Sequence, residues 1–143
     1  MVSGMSTDPG VDPRPRIGGA YSYHGPLTLE YAPELDGEPD PGEIVWTWVP
    51  YQEDPARGKD RPVAVLGRAD DTQGDFAVLM VTSKDHSGQA GWVAIGAGDW
   101  DRERRESFVR TDRLLAVSAS AVRREGAALT PAQFQAVVSG LGS

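Results

Sequence analysis

The chain has 143 residues, 39% of them hydrophobic, and sets 21 acidic side chains against 14 basic ones for a formal charge of −7. That length accommodates one domain with one core, and the absence of cysteine excludes disulfides, thiolate metal sites and a cysteine nucleophile. No apolar stretch is long enough to span a bilayer and no basic start leads into an apolar segment, so the expected location is cytoplasmic, with Met5 as an alternative start.

The charge is unevenly spread. Residues 1–41 hold seven acids (Asp8, Asp12, Glu30, Glu34, Asp36, Glu38 and Asp40) against Arg14 and Arg16, while the remaining residues hold 14 acids and 12 bases. The first stretch is also rich in Pro and Gly and poor in apolar clusters. A segment of that composition cannot offset its ordering entropy by burial, so 1–41 is expected to be largely disordered or loosely packed, with the folded domain at 42–143. The acidity therefore describes the first forty residues more than the domain, and a phosphate-binding function is not excluded.

Glu43–Pro50 is rich in Ile, Val, Thr and Trp between Pro41-Gly42 and Pro50, and reads as a strand. Ile44, Trp46 and Trp48 fall on one face, Val45, Thr47 and Val49 on the other. Tyr51–Asp60 reads as a charged loop, 62–67 as a short apolar strand, and 70–75 as a turn around Gly74. The run 76–81 is apolar on both faces, 91–95 is a fourth strand, and 108–117 holds a fifth. Continuous apolar runs mean strands covered on both sides. Strands every dozen residues with no long helix between them favour a small antiparallel barrel over a parallel sheet. Helix comes late. A short one is expected at 118–124, and Thr130-Pro131-Ala132-Gln133 is a helix start with Thr130 as cap, Pro131 in the first turn and Gln133 closing a capping box. Phe134, Val137, Val138 and Leu141 then form one apolar stripe. The two-sided apolar strands, including the one bearing Trp46 and Trp48, also predict a homodimer, because one small barrel has too little cover for them.

The stretch 42–66 reads G-E-I-V-W-T-W-V-P-Y-Q-E-D-P-A-R-G-K-D-R-P-V-A-V-L, and 76–83 reads F-A-V-L-M-V-T-S. This order, G-[DE]-[IV]-x-W, a basic loop, R-P-V-x-V-L, an apolar run and T-S, resembles the MazF/PemK family of type II toxin–antitoxin endoribonucleases over roughly residues 40–141. The resemblance implies a mainly β fold, an SH3-like antiparallel barrel with a C-terminal helix. It implies a homodimeric, metal-independent, sequence-selective endoribonuclease without a cofactor. Its partners would be RNA and a cognate antitoxin, with DNA bound through the toxin–antitoxin complex. The family's catalytic arginine and threonine map onto Arg61 and Thr82.

Metal-free RNA cleavage lets the 2′-hydroxyl attack the adjacent phosphate, so the protein must stabilise a crowded, doubly charged phosphorane. A guanidinium can grip two phosphate oxygens, and a hydroxyl can donate one more hydrogen bond. Ser83 is a second hydroxyl, and His86 is the general-base candidate in the loop after Thr82. Arg57, Lys59 and Lys84 are candidates for following the RNA backbone. Arg102, Arg104 and Arg105 are interleaved with acids and read as solvated surface. Trp46 and Trp48 read as core or interface, and Gly96-Ala97-Gly98 as a turn. In the late stretch V-R-T-D-R-L-L-A-V, where many relatives place a glutamine or arginine, Asp112 and Arg113 stand ahead of apolar Leu114-Leu115. That departure, with the acidic first segment, supports the alternative of a catalytically inactive barrel that binds RNA or protein.

Overall fold

A computed structural model describes residues 19–29 and 39–141. Nine strands run antiparallel in one strongly bent sheet: β1 (Tyr21–Ser22), β2 (Leu27–Leu29), β3 (Glu43–Pro50), β4 (Gly58–Ala69), β5 (Phe76–Thr82), β6 (Trp92–Gly96), β7 (Ser107–Arg110), β8 (Leu115–Val117) and β9 (Arg123–Ala128). Helix α1 (Pro131–Leu141) closes the described chain. The spatial order is β1-β8-β5-β4-β3-β9, with β2 on the far half of β4 and β7-β6 on the end of β5. The architecture is the expected mainly β, barrel-like one with a C-terminal helix, although strand pairing does not close the ring.

Both faces of the central strands are covered within one chain. One face buries Ile44, Ala64, Leu66, Leu79, Val81 and Val109 with Phe134 and Val137 of α1; the other buries Val45, Val49, Val63, Val65, Phe76, Val78, Leu115 and Val117. Among the described residues Leu29 is the only exposed large hydrophobic side chain, so the apolar-surface argument for a homodimer loses its ground. The two-sided runs are sealed by β1, β8 and the turn at Ala119–Ala121 rather than left for a second copy.

The extended strands and their register follow from local chemistry. β4 begins at Gly58, not after Asp60, because Pro50↔Gly58, Val49↔Lys59, Trp48↔Asp60 and Thr47↔Arg61 continue its ladder with β3. The expected loop is thereby shortened to 51–57. Gly67 (φ +157°) is required where β2 crosses β4, since a Cβ there would lie 1.7 Å from the Thr28 carbonyl oxygen. The expected single strand at 108–117 is two, broken at 111–114: β7 pairs with β6, a register that the Thr111 N–H extends by donating to the Gly91 carbonyl at 2.8 Å, whereas β8 pairs with β5 and β1.

The expected helix at 118–124 is only a 3-10 turn at Ala119–Ala121 with Ser118 as its cap; Val122 is already extended and β9 follows. Tertiary demand overrides local propensity here, because β9 supplies the outer edge of β3 with its partner (Ile44↔Ala127, Trp46↔Arg123). The capping box of α1 forms as read: Thr130 Oγ1 accepts from Gln133 N–H at 3.1 Å, and Gln133 Oε1 accepts from Thr130 N–H at 2.8 Å.

Residues 19–29 belong to the sheet. Tyr21↔Ala116 and Ser22↔Leu115 pair β1 with β8, the Ala20 N–H donates to the Trp48 carbonyl at 2.8 Å, and Ala20, Tyr21 and Tyr23 are buried. The expectation of loose packing therefore fails for this stretch, whose two tyrosines and backbone pairing provide the burial that composition concealed. Residues 1–18 and 30–38, covered by the same expectation, lie outside the described residues.

Candidate nucleic-acid cleft

A cleft of about 520 Å³ opens where β3, β4 and β5 end, and Lys59, Arg61, Thr82 and Ser83 all line it. The ladder explains the meeting. Val63 pairs with Met80, so the same register carried two residues further sets Arg61 opposite Thr82 on one face of the sheet. Thr82 is held on its other side by β7 through Thr82↔Phe108. Its Oγ1 accepts the Lys84 N–H at 3.1 Å, which leaves the hydroxyl proton to donate elsewhere.

The cleft wall opposite is the β6–β7 loop. Trp100 anchors it from beneath, donating from Nε1 to Ser107 Oγ at 2.9 Å. Arg105 grips Asp101 at 2.8 Å and Arg104 meets Asp99 at 2.5 Å, with Arg104 in the left-handed region at φ 52°. The Arg105 hydrogen bond holds the Asp101 carboxyl below the usual carboxylate range. The loop is therefore internally neutralised, while Lys59, Arg61 and Arg102 form no ion pair among the described residues. Three cations on one cleft without carboxylate partners leave room for an external anion. Trp46 completes the wall, half-buried beneath the Arg123 guanidinium, which lies 5.7 Å from its ring centre.

The other sequence candidates are placed elsewhere. Arg57 and Lys84 are exposed and outside the cleft lining. His86 lies flat on Trp92, centroids 3.6 Å apart and planes 1° apart, with Nδ1 2.9 Å from Gln89 Oε1. It is not among the residues lining the cleft.

The sequence reading also missed an arginine cluster beside the cleft. Arg110 reaches Asp112 at 2.6 Å and Gln52 at 2.7 Å, with Trp92 5.8 Å from its guanidinium. Burial pushes the Arg113 guanidinium pKa down, and the positive charges of Arg110 and Arg61 push it the same way against the pull of Glu53. Arg61 thus couples the cleft to the turn between β7 and β8. The sequence signal was the charged interruption R-T-D-R within an apolar stretch; what it could not supply was the loop bearing Gln52 and Glu53.

Among the described residues no three His, Asp or Glu side chains converge as metal ligands, and no helix is long and apolar enough to cross a membrane. Comparison with curated proteins gives no match. The family model described as PemK-like, MazF-like toxin of type II toxin–antitoxin systems matches residues 40–143, which include every wall of the cleft. A fold of this type and a family match over most of the chain lead to one conclusion: the chain belongs to the MazF/PemK family of type II toxins.

Proposed function

We propose that the protein is a metal-independent, sequence-selective endoribonuclease toxin that cleaves RNA in the cleft between Arg61 and Thr82. The observation that carries this reading is that Arg61, with no ion pair among the described residues, shares one cleft with the Thr82 hydroxyl. The substrate's 2′-oxygen attacks phosphorus, the phosphorus–O5′ bond breaks, and the proton lost from the 2′-hydroxyl ends on the 5′-oxygen. The products are a 2′,3′-cyclic phosphate and a 5′-hydroxyl. Arg61 spans two non-bridging oxygens, whose charge grows in the transition state. Thr82, its oxygen held by the Lys84 N–H, donates its proton to the same charge. Ser83 offers a second donor, and Lys59 and Arg102 draw in the flanking backbone. A cognate antitoxin would cover this cleft, and the protein would act in the cytoplasm as a homodimer, a state supported by the family and not by uncovered apolar surface.

The second reading, a barrel that binds without cutting, draws on Asp101, Glu103 and Glu125 on the same cleft. Incubating purified protein with a long mixed-sequence RNA in EDTA separates the two. Discrete cuts ending in 2′,3′-cyclic phosphate are expected. Intact RNA, or cuts only after adding a divalent metal, would refute the proposed chemistry.

A further inference from the structure

Residues 19–29 precede the stretch that the family model covers, yet they build one side of a second pocket beside the cleft. The β1–β8 register, Tyr21↔Ala116 and Ser22↔Leu115, continues as the Tyr23 N–H donates to the Leu114 carbonyl at 3.0 Å. One further step sets His24 opposite Arg113. The pocket there has a volume of about 360 Å³ and is bounded by Ser22, His24, Gln52, Asp112 and Arg113.

The charges of this pocket are unevenly matched. Asp112, its one carboxylate, is engaged by Arg110 at 2.6 Å, and Arg110 also binds Gln52 at 2.7 Å. Arg113 is half-buried, forms no ion pair among the described residues, and feels the positive charges of Arg110 and Arg61 against the single opposing charge of Glu53. Like charges gathered in partly desolvated surroundings disfavour each other unless an anion joins them. Guanidinium, imidazole and the Ser22 hydroxyl are together the donors a phosphate accepts from.

We propose that the pocket between His24 and Arg113 binds a backbone phosphate of the same RNA strand whose scissile phosphate lies on Arg61. This rests on the RNA-cleavage reading above and extends it: the segment ahead of the family domain becomes part of the RNA groove and lengthens the footprint beyond the cleft.

The test is equilibrium binding of the full chain to a 2′-O-methylated mixed-sequence oligoribonucleotide, which cannot be cleaved, across a range of salt. Arg113→Gln is expected to weaken binding about tenfold, the measure of one charged hydrogen-bonded contact. Its plot of log affinity against log salt should flatten by about 0.7, the loss of one single-strand phosphate contact. His24→Gln, at an exposed side chain, should weaken binding in the same direction with an unchanged unfolding midpoint. If Arg61→Ala weakens binding while both Arg113→Gln and His24→Gln bind with wild-type affinity and salt slope, the second phosphate site is overturned and the cleft reading stands. If the wild-type chain does not bind the RNA at all, both fall.

Discussion

Thr82 is the residue whose role separates most cleanly from its packing. It sits at the end of β5, half-buried, paired with Phe108 and bonded through Oγ1 to the Lys84 N–H. Thr82→Ser keeps that oxygen and its proton, so RNA cleavage should stay within a few-fold of wild type. Thr82→Val keeps the shape and loses the hydroxyl, and should reduce the cleavage rate by roughly a hundred- to a thousandfold, the usual effect of deleting one donor to developing charge. Single-turnover rates on one RNA measure both; equal rates for Val and wild type would remove Thr82 from the chemistry. Arg61 and Thr82 were legible in the sequence because R-P opens one apolar run and T-S closes the next. Arg113 stood out in the sequence only as a departure in the late stretch, since Arg61 and Glu53 approach it from across the fold. His86 was a reasonable reading of a polar loop, but Trp92 offers its ring a flat apolar surface and the stack takes it.

At the scale of elements, β3 and β9 are joined by a buried ion pair. Glu43 is fully buried and accepts from Arg124 Nε at 2.8 Å and Nη2 at 2.9 Å. Its Oε1 also accepts the Asp40 N–H at 3.0 Å. Arg124→Ala strands this carboxylate in the interior and should destabilise the fold by about 3–5 kcal/mol, read from denaturant unfolding. A loss under 1 kcal/mol would mean that the Glu43 carboxylate is not stranded when the guanidinium is removed. None of this showed in the sequence, because R-R-E-G-A-A has neither the apolar alternation nor the β-branched residues that announce a strand. β3 and β5, by contrast, were read nearly to the residue, since their Val, Ile and aromatic runs end in Pro50 and Thr82.

The β6–β7 loop has its own acid sensitivity. Asp101 is held below the usual carboxylate range by Arg105, so its folded pKa lies beneath the unfolded one. The contribution of the pair is complete above about pH 4, the unfolded carboxylate value, and is lost as pH falls through the lowered folded value. The Asp101 carboxyl carbon, followed by NMR, should titrate below the ordinary aspartate range. Titration at the ordinary value would show the loop to be open in solution.

For the whole molecule, the sealing of both sheet faces within one chain changes what a dimer must be. Phe76–Val81, read in the sequence as surface needing a partner, is almost entirely interior, with only Met80 partly exposed. A homodimer would meet through polar or mixed surface, and light scattering at micromolar concentration should still give about twice the 15.3 kDa chain mass. A monomer at every concentration would refute it. The general architecture was legible from strand spacing and the Thr130–Gln133 box. The two strands before residue 30 were not, because they form only by pairing with β8 and β4, far along the chain.

The central claim is that Arg61 grips the scissile phosphate, and cleavage of one RNA in EDTA by wild type, Arg61→Lys and Arg61→Ala tests it most directly. Lysine keeps the charge but cannot span two oxygens, so its rate should fall steeply while the fold is retained. Arg61→Ala should lose at least about a hundredfold. If Arg61→Ala cleaves as fast as wild type, catalysis lies elsewhere and the account of this cleft is wrong.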